Sequence, residues 1–310
     1  MKQLDQTHPN NSFQDDTISL KELFGLLWKG RNLIILITSL FALGSIYYAW
    51  SLKDYYKSST SLSIVQAASG PSISGLGGLA SIAGINISPV GLKGPMYINT
   101  IRSRSFLKHL LSVDENVLPS LVAAESYDKE SKKLKFNSDV YDAANKKWLS
   151  TKPTHIQIFG TYMRAVNVDF HEIRQTMDVS VEHISPIFAK EFLELIIRES
   201  DNIIRQKDLK RSSEALAYLT SEISRTSVLD IKSNINQLIL SQLQIQMTAN
   251  ISSNYVLNII EPPFIPEKKS KPSRSLIVLL GAMLGFVIGI VWILMRHYFA
   301  PHSTKKTSGS

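Results

Sequence analysis

No cysteine occurs anywhere in the sequence, and that one absence removes disulfides, thiolate metal sites and cysteine nucleophiles together. Glycine is missing throughout residues 185–251, and proline is missing from 187 to 261. A stretch so free of breakers excludes a turn-rich segment there and favours long helix. Charge is missing from two further runs, residues 32–50 and 276–295. Signatures of catalysis are missing too: there is no G-x-S-x-G, no H-E-x-x-H and no kinase set. The pair His171-Glu172 has no second histidine at metal-ligand spacing, so neither a metal nor a cofactor is expected. The glycine-rich GLGGLASIAG lacks the G-K-[ST] ending that cradles a nucleotide phosphate. Cations outnumber acids, 34 to 26, for a formal charge of +8. They are scattered rather than gathered with aromatics on one face, which argues against a nucleic-acid partner.

What is present begins with the two uncharged runs, NLIILITSLFALGSIYYAW and LIVLLGAMLGFVIGIVWILM. Each has about the 20 residues that a helix needs to cross the hydrocarbon of a bilayer. Trp28, Lys29 and Arg31 precede the first, and Tyr47, Tyr48 and Trp50 close it. Trp292, Arg296, His297 and Tyr298 close the second. Aromatic and basic residues at those positions anchor a helix at the membrane surface. The first run begins some way into the chain and is followed by no A-x-A-like site, so it reads as an uncleaved anchor. An even number of spans puts both termini on one side. Loop charge does not say which side, because Lys21, Lys29, Arg31, Arg296, Lys305 and Lys306 on the terminal flanks balance Lys53, Lys57, Lys268, Lys269, Lys271 and Arg274 on the others. Gly281, Gly285 and Gly289 recur every fourth residue of the second span. They line one face, where small residues let two helices approach closely, and this face is expected to serve assembly.

Between the spans the pattern alternates and then changes. Residues 1–16 read as a polar tail and 18–30 as a short amphipathic helix. Residues 55–65 read as a strand, 69–94 as a glycine-rich loop, and 95–111 as a helix. Residues 154–158, 165–169 and 175–181 show period-two alternation and are predicted strands. From 185 to 251, apolar residues recur among acids, bases and glutamines, predicting a long extended helix or helical hairpin with a bend near 225–231. Its acids, among them Glu191, Glu194, Glu199 and Asp201, read as the wet face. So long a helix cannot cover its apolar stripe with one small domain, which points to a second copy of the chain. Residues 255–261 read as a strand. A stiff segment then carries Pro262, Pro263, Pro266, Pro272, Ser273 and Arg274 into the second span.

This order of features resembles the Wzz-type polysaccharide co-polymerases, the chain-length determinants of bacterial surface polysaccharides. The N-terminal segment reads D-x-I-x-L-x-E-L-x-x-x-L-W at Asp16, Ile18, Leu20, Glu22, Leu23, Leu27 and Trp28. The proline segment reads P-x-x-P-x-x-x-x-x-P-S-R at Pro263, Pro266, Pro272, Ser273 and Arg274. A glycine-rich loop and a long charged helix lie between them. The resemblance implies an α+β periplasmic domain, with a long extended helix, anchored in the inner membrane. It divides the chain into a cytosolic segment (1–31), a first span (32–50), the periplasmic domain (51–274, long helix about 185–251), a second span (275–295) and a cytosolic tail (296–310). It further implies a homo-oligomeric ring, a Wzy-type polymerase as partner, lipid-linked glycan as a further one, and no enzymatic activity of its own. The alternative function is a capsule or exopolysaccharide export adaptor.

Overall fold

The computed structural model describes residues 25, 27–64, 93–174, 176–252 and 254–299. The polar tail, most of the amphipathic segment and the glycine-rich loop lie outside the described residues. The chain divides into two units, Met1–Leu52 with Pro272–Ser310, and Lys53–Lys271.

The first unit holds the two apolar helices, α1 (Arg31–Ser51) and, last in the chain, α8 (Arg274–Phe299). Gly30 opens α1, its carbonyl accepting from the amides of Leu33 and Ile34. Ser273 opens α8 in the same way, accepting from Leu276 and Ile277. Pro272 stands just before that turn, where a missing N–H costs nothing. Only 6% of the apolar window of α1 and 17% of that of α8 is buried within the molecule. A core helix of a soluble protein would be mostly covered. These two expose apolar side chains along most of their length, as a helix solvated by lipid does.

The second unit is built on a four-stranded antiparallel sheet of order β6-β7-β1-β8. Its strands are β1 (Tyr56–Ile64), β6 (Val166–His171), β7 (Thr176–His183) and β8 (Leu257–Glu261). Register follows the alternation of the side chains. Met177, Val179 and Val181 of β7 and Leu62 of β1 are wholly buried, and Val166 and Val168 of β6 nearly so. Helices α2 (Lys93–Ile101), α3 (Arg104–Val113) and α4 (Val117–Val122) follow β1. Two hairpins come next: β2 (Ala124–Asp128) with β3 (Lys133–Phe136), and β4 (Tyr141–Asp142) with β5 (Lys147–Trp148). Helix α5 (His155–Ala165) leads into β6. The start of the long helix α6 (Pro186–Arg225) inserts Phe188, Ala189, Phe192, Leu193 and Ile196 into a core shared with Tyr97, Phe106, Leu110 and Tyr162.

Several sequence expectations change. Residues 154–158 form the cap and first turn of α5 instead of a strand; Thr154 and Gln157 make a reciprocal capping box there. The helix expected over 95–111 is two, because the Ser103 hydroxyl accepts from the Phe106 amide and starts α3 anew. The stretch 185–251, expected as one long helix or a helical hairpin, is the hairpin, and its break at 226–228 falls within the expected bend. Helix α6 ends at Arg225, and α7 (Leu229–Ile251) returns antiparallel to it, with the Ser212 hydroxyl donating to the Gln242 carbonyl across the pair at 2.8 Å. Thus α7 takes part of the stripe that was expected to need a second chain. Ile235, Gln242 and Ala249 are its buried residues.

Candidate functional site

The three spaced glycines lie on the face of α8 that meets α1 of the same chain. A Cβ on Gly285 would sit 2.7 Å from the Cβ of Phe41 and 3.1 Å from the Cα of Thr38. On Gly289 it would sit 3.3 Å from the Cα of Ile34, and on Gly281 it would collide with the Ser45 side chain. Ile34, Thr38, Phe41 and Ser45 form one stripe of α1, so backbone meets side chain over three turns. Ser45 meets its own polar need by donating to the Phe41 carbonyl at 2.7 Å. Gly44, by contrast, has nothing within 4 Å of where its Cβ would be. Close approach of this kind supplies the van der Waals contact that holds helices together where lipid removes any hydrophobic drive.

The proline segment extends the sheet without strand pairing. Pro262, Pro263 and Pro266 bring no N–H, so a regular ladder is closed to them. Side chains of β1 substitute: the Thr60 hydroxyl donates to the Glu261 carbonyl at 2.6 Å, and the Ser58 hydroxyl to the Phe264 carbonyl at 2.7 Å. Both hydroxyls are buried. Pro266 is buried, while Pro262 is exposed and Pro263 half-buried. The segment closes where the Tyr55 amide donates to the Lys271 carbonyl at 2.9 Å and the Ser270 amide to the Tyr55 carbonyl at 2.8 Å. Beyond this clasp, Pro272, Ser273 and Arg274 belong to the start of α8.

Helix α6 is tied to its surroundings by acids that the sequence placed on the wet face. Glu191 and Glu194 are exposed there, but Glu199 and Asp201 are buried. The reason is position: Glu199 falls seven residues after Phe192 and three after Ile196, on the stripe that faces the core. Its carboxylate lies 2.9 Å from His109 Nε2 and accepts from Arg198 Nε at 3.1 Å. Burial pushes the Glu199 carboxyl up, yet those two hydrogen bonds outweigh it and hold the group below its ordinary value. The Asp201 carboxylate accepts the amides of Tyr255 and Val256 at 3.1 and 2.9 Å and Arg205 at 3.0 Å. The Tyr255 hydroxyl donates to Asp208 at 2.9 Å. The residues that follow α7 are therefore latched to α6.

Catalytic geometry is not assembled by these groups. Among the described residues, no cluster of three or more His, Asp or Glu is arranged to hold a metal. His171 lies 3.1 Å from Asp178 and serves the edge of the sheet. His183 is buried, with its Nε2–H donating to the Ser120 carbonyl and its Nδ1 accepting from the Ser185 amide. Burial holds its pKa down at about 4, against the upward pull of the Ser120 carbonyl. It is a neutral structural tie between β7, α4 and the start of α6.

A mixed helix-and-sheet domain bounded by two apolar helices defines a membrane-anchored α+β protein. Residues 16–113 match the family of the Wzz chain length determinant protein. Residues 230–298 match GNVR, the "G-rich domain on putative tyrosine kinase". In these two segments, one near each end, the chain is similar to the Wzz-type chain length determinants, the polysaccharide co-polymerases. Among solved structures it is similar to a full-length bacterial polysaccharide co-polymerase, at 14% identity over 92% of this chain and 100% of that one, with a TM-score of 0.44. It is also similar to a fragment of WzzB, a polysaccharide co-polymerase from Salmonella Typhimurium, at 12% identity over 71% of this chain and 100% of that one, with a TM-score of 0.29. No curated protein matches.

Proposed function

We propose that this protein sets the chain length of a bacterial surface polysaccharide, an O-antigen or related polymer, as a non-enzymatic scaffold in the inner membrane. Both termini face the cytoplasm and the central unit faces the periplasm, where it acts with a Wzy-type polymerase on lipid-linked glycan. The observation that carries this reading is the pair of family matches, one running through the first span and one through the second. Self-association into a ring belongs to the same reading. It is supported by the apolar side chains that α7 leaves exposed after packing on α6: Leu240, Leu243, Met247 and Ile251, at 65, 40, 60 and 78% exposure. They recur at three- and four-residue spacing along a helix with no charge beyond Lys232, a pattern suited to a second helix.

Deleting the gene should redistribute the lengths of surface polysaccharide in a gel ladder, and re-expression should restore them. An unaltered ladder overturns the reading. The match to a G-rich domain of tyrosine kinases favours a second reading, that the polymer is a capsule or exopolysaccharide and the protein an export adaptor. Copurification with an outer-membrane channel, and not with a polymerase, would select it.

A further inference from the structure

A cleft of about 400 Å³ opens in the central unit beside the clasp between Tyr55 and Lys271. Three cations line it: Lys53 and Lys271 from the two strands of chain at the clasp, and Arg164 from the end of α5. Only Lys271 is answered, by Glu182 at 2.7 Å. Among the described residues, neither Lys53 nor Arg164 has an acid within ion-pair distance. Arg164 reaches only the Thr161 hydroxyl, at 3.4 Å. His183, which also lines the cleft, is neutral at physiological pH and adds no charge. The cleft therefore presents two uncompensated positive charges in a volume within the range of small-ligand pockets.

Covalent connection fixes where such charges act. Lys53 is the second residue after α1 and Lys271 the third before α8. At ~3.5 Å per residue, both stay within about 11 Å of the end of a span, the depth at which lipid headgroups lie. Tyr55, 40% exposed on the same rim, is an aromatic suited to that interface.

We propose that this cleft binds the diphosphate headgroup of a lipid in the adjoining leaflet. A diphosphate esterified at both ends carries two negative charges, matching the two free cations, and the arginine fork can grip two of its oxygens. The inference rests on the chain-length reading above and deepens it, since it gives lipid-linked glycan a place to be held.

The test uses the full-length protein in neutral detergent micelles and a fluorescent diester of farnesyl diphosphate, followed by anisotropy. The double substitution Lys53→Gln/Arg164→Gln should weaken binding roughly thirtyfold, the loss expected for two basic residues at a membrane surface. Both side chains are exposed, so the fold should survive. The control Lys210→Gln/Arg211→Gln removes the same charge from α6 and should leave binding within twofold. Equal loss in the control would reduce the effect to net charge and overturn the assignment, as would unchanged binding in the cleft variant. Inorganic diphosphate that displaces the probe at equal concentration would overturn the lipid source in favour of a free anion. Failure of the cleft beside a polysaccharide ladder that changes on gene deletion removes this inference alone. An unchanged ladder beside cleft-dependent binding removes the chain-length reading and leaves the cleft.

Discussion

Replacing Asp201 with asparagine keeps the side-chain size while removing the charge that gathers three donors. Asp201 is 7% exposed, so water cannot replace what is lost. The carboxylate accepts two backbone amides, from Tyr255 and Val256, and the Arg205 guanidinium. A carboxamide keeps one acceptor oxygen and turns an NH₂ toward the remaining donors. Hydrogen bonds to a charged group are worth about 1.5–3 kcal/mol each, and a buried donor left unmatched costs about 1–3 kcal/mol. Losing one such bond and weakening another gives a penalty of about 3 kcal/mol for the latched state. That penalty falls on the segment after α7 rather than on the sheet, because both amides belong to residues 255–256. Hydrogen exchange on the full-length protein in detergent measures it directly. Amides of α7 should exchange roughly a hundredfold faster by local opening, while those of β7 keep their protection. Unchanged protection in α7 would refute the latch. Uniform loss across both would show that Asp201 holds the whole unit together instead.

Gly285→Leu should lower the thermal stability of the full-length protein in mild detergent, because a Cβ at that position already lies 2.7 Å from Phe41. Gly44→Leu, where nothing lies within 4 Å, should not, and equal effects would remove the close-packed face. For His183 the folded pKa of about 4 lies below the ordinary 6.5, so the unfolded chain takes up the proton first. The stability this site contributes is complete above pH 6.5 and is lost as pH falls toward 4, amounting to about 2 kcal/mol by pH 5. Denaturant melts of wild type and His183→Gln across that window should converge as pH falls; parallel curves would exclude the histidine.

What the sequence made legible was whatever depends on composition and local period. The two apolar helices read correctly as helices because an uncharged run of that length is a property of the run itself. Strands β6 and β7 read correctly because VNVDF and MDVSV alternate onto one buried face. Helix α5 did not, since THIQI also alternates; the discriminating signal was Thr154 three residues before Gln157. The hairpins of residues 124–148 gave no reading because local polar geometry makes them rather than hydrophobic pattern. Asp128 accepts amides from Glu130 and Ser131, and Asp142 from Ala144 and Asn145. Lys132 and Lys146 then take positive φ, which no residue-type rule assigns to lysine. Glu199 and Asp201 were misread because charge was weighed above helical position. At the membrane, spacing alone drew attention to Gly281, Gly285 and Gly289. That α1 of the same chain is what meets them required the three-dimensional structure.

The uneven burial of α6 has a mechanical consequence. Its 40 residues run about 60 Å, yet the side chains that fix it in the core are concentrated in its first half, from Phe188 to Ile204. The remainder is a lever, stiffened by α7 along the return. A tilt of about 5° where Phe192 meets the sheet displaces the far end, about 50 Å away, by about 4 Å. Small repacking at the root is thereby converted into movement at the tip comparable to the width of a sugar ring.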